Sequence, residues 1–268
     1  MEGQQDFLVI ETELDQSPPD VLHFFAWDEM VCRRVGEGAM PPVAHLWRHP
    51  NALVLGLRDR RLPNAAGAME RLRGEGVSVG VRNSGGAAVP LDRGVVNLSL
   101  VFPYAEGTRL DFHNEFRMMA GLIGEAAAEW AVVARSGEIR GAYCPGEYDL
   151  AIGGRKFCGI AQRRQLRGYV VSAFVVVEGS GAARTARARS FYEEATGGLP
   201  HADDPKVAPD TVASLQELAG VNSAEAFMRV LRRQLEQRGG RFLGQGQELV
   251  DRKEAALVAE ELRRRYDA

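Results

Sequence analysis

Asp149-Leu-Ala-Ile152-Gly153-Gly154-Arg155-Lys156-Phe-Cys158-Gly159-Ile160-Ala161 reads as two short strands closed on Gly153-Gly154, a dipeptide that supplies positive φ in a tight hairpin turn. A second hairpin follows, closing near Arg167-Gly168 and leading into a β-branched strand over 169–178. Upstream lies the clearest helix, 111–130. There Phe112, Phe116, Met119, Ile123, Ala127 and Trp130 recur at three- and four-residue steps, and Asp111 suits the N-cap. Further strands fall at 43–47, 51–56, 77–81 and 96–102, with helices at 21–36 and 64–74 and a turn over 90–94. The order helix, strands, helix, strand hairpins predicts an α+β fold, a mixed central sheet with flanking helices, not a regular βαβ repeat.

The ends read differently. Residues 1–20 form a polar, acidic lead-in that finishes on Ser17-Pro18-Pro19-Asp20. Residues 180–210 are rich in Gly, Ala and Pro around a helical piece at 183–194. Asp210 is placed to cap a helix over 212–218 that Gly220 stops, Asn222 and Glu225 have capping-box spacing, and a last charged helix starts near Arg252. This predicts a catalytic domain over 20–205 and a helical C-terminal appendage over 206–268.

The 268 residues are 45% hydrophobic and 26% charged with a formal net charge of -3, an ordinary globular balance without the basic footprint of a nucleic-acid binder. Met1 to Gln16 lack Lys and Arg, unlike a targeting segment, and the apolar run Val170 to Val177 is far too short to span a bilayer. The expectation is a cytoplasmic protein that engages neither membrane nor nucleic acid. Cys32, Cys144 and Cys158 make no disulfide framework, and the scattered histidines at 23, 45, 49, 113 and 201 form no zinc pattern. Cys32 reads as a packing residue of the first helix.

Two glycine patches carry the chemistry. Ser84-Gly85-Gly86-Ala87-Ala88 joins two strands. Its glycines either let backbone N–H groups approach a ligand, with Arg82 orienting a carbonyl or anion, or simply shape a turn. It is neither a P-loop nor GxGxxG. In Gly141-Ala-Tyr-Cys144-Pro145-Gly146, a thiol precedes a proline that biases it toward extended backbone. Cys144 is a nucleophile or a small buried hydrophobe. Lys156 supplies a cation that lowers a thiol pKa or binds an acyl carbonyl, or else it blunts a sheet edge. Strand alternation puts Cys158 on the face of Lys156, as a rival nucleophile or a wall residue, and Gly159 and Ala161 on the other.

These residues resemble the lipoate-protein ligase and octanoyltransferase family, related in fold to biotin protein ligase. The matching segments are Phe25-Ala-Trp-Asp-Glu29, Arg82 to Val89 with Asp92 and Gly94, and Asp149 to Gln162, within a similarity over roughly 20–220 that includes Ala213 to Leu218. The resemblance implies an octanoyl or lipoyl chain in an apolar tunnel shaped by Arg82, Ser84, Gly85, Gly86, Gly159, Ile160, Ala161 and Gln162. It also implies Lys156 engaging the acyl carbonyl. Tyr143-Cys144-Pro145-Gly146 with Tyr148-Asp149-Leu150 is most similar to the branch that moves octanoate from the glycine-cleavage H protein to lipoyl domains of 2-oxoacid dehydrogenase E2 subunits. There Cys144 carries the acyl group as a thioester, and no metal, ATP or organic cofactor takes part. The family commonly has Ala or Ser where Cys158 stands, which argues against that thiol. The absence of a ligase-like His before Asp92, where Leu91 stands, argues against ATP. Acyl-carrier protein as donor, an ATP-dependent lipoate ligase, and a non-catalytic acyl-binding module are the alternatives. No proton acceptor stands out.

Overall fold

The computed structural model describes residues 6–12, 14–16, 20–104, 112–199, 201, 205–245 and 249–267. In chain order the elements are β1 (Phe7–Thr12), α1 (Leu22–Gly36), β2 (Val43–Trp47), β3 (Asn51–Leu55), α2 (Ala65–Gly74), β4 (Ser78–Val81), β5 (Val89–Asp92), β6 (Val95–Pro103) and α3 (Phe112–Ala128). There follow β7 (Arg135–Ser136), β8 (Leu150–Ile152), β9 (Arg155–Arg164), β10 (Gly168–Val176), α4 (Gly181–Ala195), α5 (Leu215–Ala219), α6 (Ala224–Gln237), β11 (Gly240–Gln245) and α7 (Arg252–Tyr266). An eight-stranded mixed sheet runs β11-β1-β2-β6-β10-β9-β8-β7, and β4-β3-β5 form a second sheet of three. Among the described residues no helix is long and apolar enough to cross a membrane.

Strand alternation sorts the large sheet into two faces. On β6, Val96, Leu98 and Leu100 pack with Met119, Ile123 and Ala127 of α3 and Phe227 and Leu231 of α6. The intervening positions read Val95, Asn97, Ser99, Val101. Val95 packs toward the small sheet, α2 and α4, whereas Val101 packs under Met30, Val31 and Val35 of α1. Asn97 and Ser99 lie between these two apolar regions and line a cavity. The 3.6-residue stripe expected for α3 is present. Its proposed cap Asp111 and the Phe112 side chain, like Ser17 to Pro19 of the lead-in, lie outside the described residues.

The differences from expectation lie where strand signals are short or flanked by polar sequence. The acidic lead-in contains β1, whose Leu8 and Ile10 pack on the α1 side while Val9 faces α6. The segment read as a turn at Pro90 holds β5, antiparallel to β3. Pro90 is tolerated there because β5 is an edge strand. Residues 206–268 are not wholly helical: β11 pairs in parallel with β1 at the rim of the main sheet, and α7 lies along α1. Two caps also move. Ser214, not Asp210, caps α5 in a capping box with Glu217, and Ser223, not Asn222, caps α6 by accepting from Ala226 N.

The last turn of α7 is tied to the body by charge. Asp267 accepts from Val81 N (2.9 Å), Arg73 Nη2 (2.6 Å) and Arg263 Nη1 (2.7 Å), and Arg263 grips both oxygens of Asp20 (2.9 Å each). Replacing Asp267 with Ala leaves the Val81 N–H without this acceptor and separates two arginines from their carboxylate. The expected cost is about 1–3 kcal/mol, read as a lower urea midpoint with an unchanged m-value.

Candidate active site

Gly141 opens a tight turn that sends Tyr143 inward, wholly buried, and sets Cys144 at its apex. The proline effect expected at Cys144 is not followed. Its φ is +47°, the left-handed region, where a non-glycine residue carries strain on the order of 1–3 kcal/mol. Surrounding contacts impose that conformation. Lys156 Nζ donates to the carbonyls of Tyr143 (3.1 Å) and Cys144 (2.5 Å) and is paired with Asp149 Oδ2 at 2.7 Å. The same carboxylate oxygen accepts from Gly146 N (2.9 Å), closing the turn on its far side. Burial pushes Asp149 up to about 6, against the opposing pull of Lys156.

Lys156 is therefore no edge lysine: it is 0% exposed. Its backbone is bracketed by a neighbouring segment, Lys156 N donating to Thr211 O and Ala213 N donating to Lys156 O (both 2.9 Å). The β8–β9 register slips at this point, since Leu150 faces Cys158 whereas Ala151 faces Lys156. Such a bulge reverses the alternation. Phe157 and Cys158 consequently both pack in the α3–α6 layer, while Lys156 lies 5.2 Å from the Phe174 ring on the opposite side. The expected sharing of a face by Lys156 and Cys158 is thus overturned. Lys156 instead shares the side of Gly159, where an added Cβ would stand 3.2 Å from Nζ and 2.4 Å from Phe174. Cys158 is 0% exposed, and burial drives its thiol far above the ordinary range. Cys32 is likewise buried, and desolvation pushes its thiol up to about 12.

The second patch meets the first at the sulfur. Arg82 follows β4 and is 5% exposed. Its Nε donates to Gly85 O (3.0 Å) and its Nη2 to Ala87 O (2.7 Å), so the loop wraps its own guanidinium. Arg82 Nη2 also reaches Cys144 Sγ at 3.4 Å, and Ala87 N reaches it at 3.3 Å. Both donors are placed to stabilise negative charge on sulfur. The cation hydrogen-bonded to the sulfur is thus Arg82, while Lys156 holds the turn behind it. Gly86, at φ +99°, has no room for a side chain, since a Cβ would come within 2.4 Å of Arg82 Nη2 and 2.8 Å of Cys144 Sγ. A buried relay props the loop: Ala88 N donates to Tyr192 Oη (3.0 Å), which donates to Asp59 (2.9 Å).

Cys144 opens on a cavity of about 370 Å³, within the usual size range of small-molecule sites. Arg82, Gly85, Gly86, Gly159, Ile160, Ala161 and Gln162 all line it. Ser84 does not stand among the lining residues; its hydroxyl is buried and meets no partner among the described residues. The Gln162 amide is tied to Glu115, which also pairs with Arg164 at 3.3 Å. Sequence reading missed several wall residues. His113 and Phe116 come from the first turns of α3, and Tyr148 from the turn after Cys144, with His113 Nδ1 2.5 Å from Tyr148 Oη and Phe116 stacked on the Tyr148 ring. Asp28, Trp47, Asn97 and Ser99 line the cavity as well. Asp28 accepts from Ser99 Oγ at 2.8 Å, and burial pushes its carboxyl up to about 7. A signal for these was present: an acid inside an apolar helix stripe and two polar residues on the inward side of an otherwise apolar strand.

The profile of the Lipoyl protein ligase A/B catalytic domain family matches residues 20–236. An octanoyl-[GcvH]:protein N-octanoyltransferase of Geobacillus kaustophilus is 40% identical over 256 residues, covering 90% of each chain. The protein of that name from Anoxybacillus flavithermus is 42% identical over 217 residues, covering 80% of this chain and 78% of its own. Two solved structures share the fold at 21% identity and a TM-score of 0.67. One, a T. acidophilum protein with bound lipoic acid, covers 100% of this chain and 98% of its own; the other, lipoate-protein ligase A with ATP, covers 98% and 94%.

The raised Asp28 carboxyl gives a stability signature. A folded-state pKa of about 7 against 3.8 unfolded means the unfolded chain releases this proton first, so stability falls as pH rises from about 4 to about 7. Asp28→Asn removes that slope. Its melting temperature relative to the parent should gain more at pH 8 than at pH 5, and an equal gain at both would contradict the assignment.

Proposed function

The chain belongs to the lipoyl protein ligase A/B catalytic-domain family, and we propose that it works as an octanoyltransferase of the kind its 40%-identical relatives are named for. It moves an octanoyl group from a lysine of the glycine-cleavage H protein, GcvH, to lysines of the lipoyl domains of 2-oxoacid dehydrogenase E2 subunits. The observation that carries the reading is the Cys144 sulfur, at the wall of an apolar cavity and facing two N–H donors. The proposed compartment is the cytoplasm.

The chemistry assigned to these residues is two amide–thioester exchanges. Cys144 attacks the octanoyl amide carbonyl of the donor, the C–N bond breaks, and the donor lysine leaves as an amine once protonated. The acceptor lysine then attacks the thioester, the C–S bond breaks, and the sulfur departs as thiolate while the new amide sheds a proton. Splitting one difficult exchange in two is the gain of covalent catalysis. The oxyanion of each tetrahedral intermediate forms on the carbon bonded to the sulfur, two bonds from it, and in this reading Arg82 and the Ala87 N–H, which already reach the sulfur, stabilise it. In this reading Lys156 acts chiefly by position: its three N–H groups go to Asp149 and to the Tyr143 and Cys144 carbonyls, which aims the sulfur. His113, hydrogen-bonded to Tyr148 in the cavity wall, is assigned the proton exchange with the departing and arriving amines. Burial of each methylene contributes about 0.8 kcal/mol, so the apolar wall retains the chain without a charged anchor.

Intact-mass measurement after mixing with octanoylated H protein should show one octanoyl adduct on Cys144 that disappears on adding a lipoyl domain. A parallel reaction with octanoyl-acyl-carrier protein should load the sulfur more slowly. Cys144→Ala should give no adduct and no transfer, and an active Cys144→Ala protein would sink the mechanism. In the same assay His113→Gln should slow loading from the amide donor by about a hundredfold. It should barely affect loading from a thioester donor, whose leaving thiol needs no proton. Equal slowing of both would remove His113 from the proton path.

A further inference from the structure

The cavity floor is laid out by strand pairing. Across the inner face of the large sheet, Gly159, Phe174, Asn97 and Trp47 lie in one row over β9, β10, β6 and β2, and Ala161, Ser172, Ser99 and His45 in the next. Cys144 sits over the β9 end: the lysine that bonds its carbonyl stands against Gly159. From there the rows over β9 and β10 present Gly159, Ala161 and Phe174 with one hydroxyl, Ser172, and at β6 both rows turn polar with Asn97 and Ser99. Asp28 and Ser99 form a buried hydrogen-bonded pair beside Asn97; Asp28 is 7% exposed and Ser99 1%. The other Asp28 oxygen, Oδ1, and the indole N–H of Trp47 meet no partner among the described residues. Behind them Trp47 is stacked on Phe24 at 3.9 Å and His45 lies 4.2 Å from Trp27, so the aromatic layer ends the space.

Neighbouring strands are spaced by about 4.8 Å, which puts β6 about 10 Å from β9. An extended chain advances about 1.2 Å per bond, so an eight-carbon acyl chain reaches about 8–9 Å from its carbonyl. We propose that the Asp28–Ser99 pair, with Asn97, is a polar end-stop that sets the acyl length this site accepts, its position two strands from the nucleophile admitting about eight carbons. A terminal methyl group arriving at β6 still lies on apolar wall. Each further methylene must press on the Asp28–Ser99 pair and keep water or any other partner from the orphaned oxygen, a penalty that cancels the gain from burial. This inference rests on the assignment of the cavity to an acyl chain but not on Cys144 forming a thioester.

Calorimetric titration with free saturated fatty acids of six to fourteen carbons separates the two. Binding needs no transfer, so a missing Cys144 adduct would sink the transferase reading and leave the end-stop standing. For the parent protein, affinity should rise roughly fourfold per methylene up to eight carbons and then level off or fall. For Asp28→Ala/Ser99→Ala the rise should continue, lifting the twelve-carbon to eight-carbon affinity ratio at least about tenfold over the parent. If the double variant fails to fold by circular dichroism, Ser99→Ala alone should lift the ten-carbon to eight-carbon ratio by a factor of several. Three results would overturn the proposal: a parent affinity that climbs unbroken to twelve carbons, no binding at any length, or a break that survives these variants but moves in Trp47→Leu, which would assign the stop to the aromatic layer.

Discussion

A fully buried ammonium holds this site together. Removing a lysine and an aspartate from water costs several kcal/mol each, and the cost is offset only when every N–H and lone pair finds a good partner. Lys156 meets that condition through Asp149 and two consecutive backbone carbonyls, and Asp149 also accepts from Gly146. The arrangement is expensive as a source of stability. Its structural effect is to pin both ends of a turn whose central residue, Cys144, stands in the left-handed region. Strain at a nucleophile is maintained where the surroundings over-determine the backbone, and here the two carbonyls do so.

The remaining parts converge on the sulfur from the other sheet. Arg82 leaves β4, curls its loop about its own guanidinium, and reaches Cys144 with one nitrogen while Ala87 N approaches beside it. Gly86 makes that approach possible by leaving no atom between the guanidinium and the thiol. Because the nucleophile belongs to the β8 end of the large sheet and its donors to the small sheet, the site exists only where the two sheets are packed together. The core uniting β3, β4 and β5 with Tyr143, Cys144 and Phe174 is therefore also the support of the chemistry.

Between the two apolar regions of the inner face, the same packing leaves a cavity whose wall changes character along its length. Small and aromatic residues predominate at β9 and β10, beside Gln162 and Ser172, and Asn97, Ser99 and Asp28 meet it at β6. An apolar channel with a few placed polar groups is the usual build of a small-molecule site. Here two of the polar groups stand apart: the reacting sulfur with its N–H donors over β9, and a hydrogen-bonded carboxyl at β6.

Much of this was legible in the chain. The alternation at 96–102, the helical stripe of 112–130 and the Gly153-Gly154 hairpin specified the α+β sheet, and the quoted glycine patches with Cys144 and Lys156 marked the segments that meet. Local sequence could not supply β1 or β11, because a strand at a sheet rim is stabilised by its partner and β11 finds β1 from more than two hundred residues away. Nor could it fix facing. One extra residue at Phe157 reverses the alternation, so the side shared by Lys156 and Gly159, and the exile of Cys158 to the other layer, follow from the β8–β9 register alone. Residue type and spacing thus determined which chemistry the chain carries. Only long-range pairing decided that Arg82 touches the sulfur, that Lys156 grips the backbone behind it, and that Asp28 waits at the far end, since each contact joins residues that no local periodicity relates.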